Sequence, residues 1–305
     1  MALLQNCTPS TNEILESFKK QGFDGTDPLA FSAEWTGGDL LCVDRKTGVL
    51  RSEKRYSSLE IANYWTDVIF KSTNPEDYSA SNPFAHSRLL YVLLSVIEFL
   101  KRSDIEIKTL CDFATGQGVF LKYAREYMPD ISITGTEASS SLVSRLMEDG
   151  FSVSNKTLGK TGQQAEFEVD FGTVSWTLCN CIDVVDVLLD IRNHIRDGGY
   201  LCVSDSSRIL VPFRKSLRDY ITSNHPLDIH PHFFSLKSLS ALLGATGFKI
   251  EWENRYFDSD VLCIIAKKVA LPSEDARFAT DDPSDIKNFL QKWHEQSKYF
   301  ESLRP

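Results

Sequence analysis

The chain has 305 residues, enough to bury one large core or a core with a smaller appendage. Its 42 acidic against 33 basic residues give a formal charge of -9, a field that repels polyanions and argues against nucleic acid as a partner. No stretch approaches the ~20 apolar residues of a membrane-crossing helix, and "MALLQNCTPSTNEIL" has neither a basic start nor a sustained apolar run, so a cytoplasmic protein with no membrane partner is expected.

In chain order, Ser10 or Thr11 starts a helix that Gly22 stops. "DLLCVDRKTGVLRS" holds two apolar runs around a Lys-Thr-Gly turn, a hairpin signal. "SLEIANYWTDVIFKS" is amphipathic at helical spacing, and "HSRLLYVLLSVIEFLKRS" reads as a longer, more apolar helix. Residues 1–104 are therefore expected to form a mainly helical N-terminal cap with a hairpin. From about residue 107 strands and helices alternate. "IKTLCDFA" and "SITGTEA" read as strands, "GVFLKYAREYM" and "SSSLVSRLMEDG" as helices. "EFEVDFGTVSWTLC" holds one or two strands, "IDVVDVLLDIRNHIRDGG" is helical and "YLCVSDS" is a strand. After a basic loop come the helix "SLKSLSALLGATG" and a closing antiparallel pair, "FKIEWENRYF" and "DVLCIIAKK". This alternation over 105–269 predicts an α/β domain, a parallel sheet with helices on both faces. In the tail, 270–305, Asp282 before Pro283 starts a helix with Ile286, Phe289, Leu290, Trp293 and Phe300 on one face. That face packs on the domain or against a second subunit, which leaves a homodimer open.

The cysteines, Cys7, Cys42, Cys111, Cys179, Cys181, Cys202 and Cys263, lie mostly in apolar runs such as "LCV" and "LCIIA", a pattern of buried free thiols. "CNC" at 179–181 lacks the C-x-x-C spacing of a zinc site, and no metal is expected.

The chemistry concentrates in "TLCDFATGQGVFLKYARE". In an open α/β sheet, ligands bind beyond the carboxyl ends of the strands, at a turn whose backbone they can approach closely. Asp112 ends the first strand, and Ala114, Gly116 and Gly118 are small enough for such an approach. The turn is not the G-x-G-x-x-G of a pyrophosphate site, because Phe120 and Leu121 stand where a third glycine belongs. The next strand, "SITGTEASS", ends in Glu137, about twenty residues on, where a carboxylate accepts both hydroxyls of a ribose.

Four segments resemble the class I S-adenosylmethionine-dependent methyltransferases. "LCDFATGQGVFL" resembles their first motif, and "TGTEAS" is similar to their second strand with its ribose-binding acid. "IRNHIRDGGYLCVSDS" resembles their late helix, Gly-Gly turn and strand, and "HPHFFSLKSLSALLGATGFKI" the segment many small-molecule and sugar-modifying members carry next. The motifs arrive in order across residues 107–268. The resemblance implies a Rossmann-like, mostly parallel seven-stranded sheet, S-adenosylmethionine as cofactor, and methyl transfer to a small-molecule or sugar-like acceptor. It assigns Asp112, Ala114, Thr115, Gly116 and Gly118 to the loop around the cofactor's methionine and ribose parts, and Glu137 to the ribose hydroxyls. Ala138 and Ser139 fall near the adenine, and Leu178, Cys179 and Asn180 border the methyl-donor end. Two positions depart from the pattern: Ala114 replaces the usual glycine, and "CNCID" stands where many relatives carry an acid and a histidine. "LLCVDRKTGVLRSEKRYSSLEIANYW" is reminiscent of the zinc-bearing cap of some sugar methyltransferases, but with Cys42 alone in place the cap is kept and the metal dropped.

Methyl transfer depends on alignment first and a base second. Base candidates are His225, His230 and His232 in "NHPLDIHPHFF", since imidazole titrates near neutrality. Against this, His232 beside Phe233 also suits a loop anchor held by a backbone hydrogen bond. Arg208, Arg214, Lys215 and Arg218 form a solvated helix face, or one arginine reads an anionic acceptor by bidentate contacts. Tyr56, Tyr64, Trp65 and His86 are further acceptor-side candidates. Two other readings stand: an NAD(P)-dependent oxidoreductase, whose sites overlap this turn and acid, and a non-catalytic methyltransferase-fold partner protein, with Ala114 and "CNCID" as signs of decay.

Overall fold

The computed structural model describes residues 6–19, 23–36, 40–53, 83–159, 166–206, 230–254 and 261–303. The first elements are β1 (Asn6–Cys7), α1 (Thr11–Lys19), β2 (Thr26–Leu29), α2 (Ala33–Thr36), β3 (Leu41–Asp44) and β4 (Leu50–Ser52). The α1 start is a capping box: Ser10 N–H donates to Glu13 Oε2 at 2.9 Å, and Glu13 N–H to Ser10 Oγ at 3.3 Å. The expected hairpin forms, with Cys42 opposite Arg51 and Val43 opposite Leu50. Asp44 Oδ1 ties its turn by accepting the Lys46 and Thr47 N–H groups. Gly48 is required there, because a Cβ would sit 2.5 Å from the Asp281 carbonyl oxygen. The helix expected over "SLEIANYWTDVIFKS" lies outside the described residues.

The long helix α3 (Pro83–Arg102) leads into β5 (Thr109–Phe113), α4 (Val119–Tyr127), β6 (Ser132–Glu137), α5 (Ser140–Glu148) and β7 (Ser152–Asn155). There follow β8 (Val169–Ser175), α6 (Val184–Asn193), β9 (Ile195–Ser206), β10 (His232–Phe233), α7 (Leu236–Ala245), β11 (Phe248–Glu253) and β12 (Val261–Lys268). Seven strands join in the order β11-β12-β9-β8-β5-β6-β7, mostly parallel, with β12 antiparallel to both neighbours. Helices cover both faces. Ile14 and Phe18 of α1, Leu188 and Ile191 of α6 and Leu239 and Leu242 of α7 share one core. Val92, Leu93 and Val96 of α3 and Phe120 and Ala124 of α4 share the other. From β5 the chain winds outward to β6 and β7, then returns to β8 on the opposite side of β5. The crevice between β5 and β8 is thus the topological switch point, where such sheets bind ligands.

One boundary differs from the sequence reading. "IDVVDVLLDIRNHIRDGG" is expected to be helical throughout, but α6 stops at Asn193 and the glycines lie inside β9. The pairing with β8 shifts register between Val169 and Phe171. A Cβ at Gly199 would lie 2.8 Å from the Asp170 carbonyl, so close strand approach at a bulge, and not a helix stop, explains the pair.

The three consecutive segments interleave in space. β10 pairs with β4, completing a four-stranded antiparallel sheet, β10-β4-β3-β2. β13 (Thr280–Asp281) pairs with β1, and α8 (Pro283–Ser302) lays Ile286 and Leu290 on Leu41, Val43 and Leu50 of the small sheet. Phe289 joins them, while the Phe300 side chain lies outside the described residues. All seven cysteines are free thiols. Among the described residues, no helix is long and apolar enough to cross a membrane.

Candidate active site

The switch point is closed at its base by Asp112, which is 3% exposed and accepts the Thr173 hydroxyl at Oδ1, 2.7 Å, bridging β5 to β8. Burial pushes its carboxyl up to about 6, Thr173 and Thr115 pull it down, and nearby Glu137 raises it further.

Above it the chain leaves β5 in left-handed backbone. Ala114 has φ +56°, Gly116 +56° and Gly118 +74°. An L-residue such as Ala114 holds this conformation at a cost of about 1–2 kcal/mol, which marks the loop as strained. It is fixed to β6: Ala114 N–H donates to Thr136 Oγ1 at 3.2 Å, and Thr115 N–H to the Thr136 carbonyl at 2.9 Å. Glu137 reaches across the crevice mouth. Its Oε2 accepts the Gly116 N–H and its Oε1 the Ser139 N–H, each at 2.9 Å. A carboxylate carries about four lone-pair sites, so each oxygen keeps room for a ligand hydroxyl. Ala138 is exposed, and its carbonyl and that of Glu137 accept the Asn155 side-chain amide. At Gly116 a Cβ would find nothing within 4 Å, whereas at Gly118 it would strike Leu146 Cδ2 at 2.3 Å. Gly116 faces open space over the crevice; Gly118 is packed against α5.

The second wall follows β8. Trp176 has φ +50°, a second strained residue, just past the carboxyl end of β8, the strand that pairs with β5. Its N–H donates to the Ser204 carbonyl at 2.8 Å and its Nε1–H to Ser206 Oγ at 2.9 Å, tying the turn to β9. A short 3-10 turn, Leu178–Asn180, comes next. Leu178 and Cys179 are buried, and the Cys179 N–H donates to Asp205 Oδ2 at 3.1 Å. Asn180 Nδ2 donates to the Trp176 carbonyl at 2.9 Å, and its Oδ1 meets His230 Nδ1 at 2.7 Å.

Two of the three histidines are described, and they differ in setting. His230 is half-buried against Asn180. His232 is fully buried in β10, its ring against Phe18 and Phe234, with Nε2 3.3 Å from the Ile182 carbonyl, which is the geometry of the anchor reading. His225 and the cluster Arg208, Arg214, Lys215 and Arg218 lie outside the described residues, as do Tyr56, Tyr64 and Trp65. His86 Nδ1 pairs with the Tyr123 hydroxyl at 2.8 Å. One acid escaped the sequence reading. Asp205, 1% exposed near the end of β9, has its carboxyl pushed up by burial and drawn down by the Cys179 contact and by His230. Its signal was an acid at the carboxyl end of an otherwise apolar strand.

An open α/β sheet with a small-residue loop and a strand-end acid at its switch point defines a nucleoside-cofactor fold. A family model for the methyltransferase domain matches residues 84–252, more than half of the chain. No curated protein matches it in sequence. In three dimensions it is similar to the plantazolicin methyltransferase BpumL, solved with a pentazolic desmethylPZN analog and SAH, at 11% identity and TM-score 0.52, over 69% of this chain and 95% of that one. The plantazolicin methyltransferase BamL, with a triazolic analog and SAH, gives 11%, 0.51, 69% and 95%. The CurJ carbon methyltransferase gives 14%, 0.50, 69% and 65%. The chain belongs to the methyltransferase domain family, as a class I S-adenosylmethionine-dependent methyltransferase.

Proposed function

We propose that the protein moves the methyl group of S-adenosylmethionine to a small-molecule or sugar-like acceptor, with His230 receiving the acceptor's proton. The observation that carries this is the open Gly116 loop facing the Glu137 carboxylate. When bound there, the cofactor supplies an electrophilic methyl group on a sulfonium. Glu137 accepts the ribose hydroxyls, held in aim by the N–H groups of Gly116 and Ser139. The Ala114–Gly118 loop takes the methionine and ribose parts, Asp112 and Thr173 support it from below, and Ala138 lies at the adenine side. Leu178 and Cys179 form the dry wall at the methyl-donor end. Rigid placement of the acceptor supplies most of the rate, since orientation contributes up to ~7–11 kcal/mol and a base ~10²–10⁴-fold. Of the histidines, His230 suits the base because it is half-buried beside Asn180, while His232 is fully buried between Phe18 and Phe234 with its Nε2 on the Ile182 carbonyl. Free thiols suit the cytoplasm.

Calorimetry with S-adenosylmethionine, S-adenosylhomocysteine and NAD tests the cofactor. Binding of the first two without NAD supports the reading, and NAD binding alone overturns it. A metabolite screen for the compound that gains one methylene's mass then names the acceptor; no product despite donor binding points to the non-catalytic partner protein.

A further inference from the structure

The turn after β8 joins two side chains 50 residues apart. Asn180 Nδ2 donates to the Trp176 carbonyl, and that carbonyl is itself held by the bonds of Trp176 to Ser204 and Ser206. Turning the amide over would set Oδ1 against the carbonyl oxygen, two acceptors face to face, so the backbone fixes which end of Asn180 meets His230. The atom presented at 2.7 Å is therefore Oδ1, which can only accept. The Nδ1 opposite it must carry a proton.

We propose that Asn180 is the positioning residue of the transfer step: it holds His230 as the Nδ1–H tautomer and so leaves the basic lone pair on Nε2. This rests on His230 being the proton acceptor. In the transfer, the acceptor's heteroatom forms the new bond to carbon, the departing sulfur keeps the electron pair of the old one, and the acceptor's proton ends on Nε2. The imidazolium so formed retains its Nδ1–H bond to Asn180 and needs no reorientation. Buried Asp205 on β9 lies close enough to interact with that charge. The residue type also accounts for the departure at "CNCID": an amide, unlike a carboxylate, can donate to Trp176 and accept from His230 at once.

The protein has six histidines, so a histidine-labelled nitrogen NMR spectrum is sparse, and the His230 signals are those missing in His230→Gln. Wild-type His230 is expected as Nδ1–H. Asn180→Leu is expected to spread it over both tautomers, and Asn180→Asp, which loses the bond to the Trp176 carbonyl but keeps an acceptor oxygen for His230, to retain the proton on Nδ1. Because the resemblance places Asn180 at the methyl-donor end, S-adenosylmethionine affinity is read in the same variants, and a change of under about threefold in Asn180→Asp supports a role exerted through His230 and not on the donor. An Nε2–H ring in the wild type, or an unchanged ring in Asn180→Leu, overturns the proposal. So does a loss of more than about tenfold in donor affinity in Asn180→Asp, which would make Asn180 a cofactor contact instead. Separately, full turnover by His230→Gln on the acceptor found in the screen overturns the proton-acceptor role, whatever the nitrogen signals show.

Discussion

Ala114 stands where the family resemblance calls for glycine, and the loop there demands φ +56°, which glycine adopts freely and alanine only under strain. The alanine keeps the conformation because Thr136 holds both its own N–H and that of Thr115. Glu137 organises the loop by accepting the Gly116 and Ser139 N–H groups, and the proposed function gives it the ribose hydroxyls as well. Glu137→Ala removes a charged acceptor worth about 1.5–3 kcal/mol, so S-adenosylmethionine affinity should fall roughly ten- to hundredfold by calorimetry; an unchanged affinity removes the ribose assignment. Asp112 yields a pH prediction. Its folded pKa of about 6 lies above the ordinary 3.8, so its ionisation costs stability as pH rises through that window, and the full cost stands above it. Asp112→Asn, which still accepts from Thr173, should stabilise the protein by up to about 3 kcal/mol at pH 7.5 and by only about 0.5 kcal/mol at pH 4. Equal melting shifts at both values would contradict this.

Among the elements, α7 sets the loop that carries His230 and His232. Its start is a capping box in which Ser235 Oγ accepts the Ser238 N–H at 3.0 Å, while the Ser235 hydroxyl donates to Asp281 of β13. Ser235→Ala should cost about 1–2 kcal/mol in chemical denaturation, the upper end reflecting the Asp281 oxygen left without that donor. The regular elements were legible because each repeats a period: alternation through β5 and β6, the helical stripe of α4, the Asp-Pro start of α8. The motif loop was legible too, since its small residues follow a strand. Other features were not. Two residues of β10 cannot display a period, and their pairing with β4 bridges most of the chain. Gly198 and Gly199 mark a bulge that sequence cannot distinguish from a helix stop. The contact between Asn180 and His230 is equally non-local, so no spacing rule reveals it.

At the scale of the molecule, the N-terminal hairpin, β10 and the tail form one small sheet and its cover, seated over the turn after β8 through His232 and Ile182. A chain ending at residue 269 would lose β13 and α8 and expose Leu41, Val43 and Leu50. It should bind a hydrophobic dye and melt lower than the full chain; an unchanged melting curve would show that the tail is dispensable. The central claim is that the crevice between β5 and β8 holds S-adenosylmethionine against Gly116, and Gly116→Ala tests it most directly. The added methyl meets nothing within 4 Å of the protein, so backbone strain should limit the stability loss to about 1–2 kcal/mol. Calorimetry of the folded variant should find donor binding weakened at least about tenfold. Binding as tight as in the wild type would place the donor elsewhere and contradict the account.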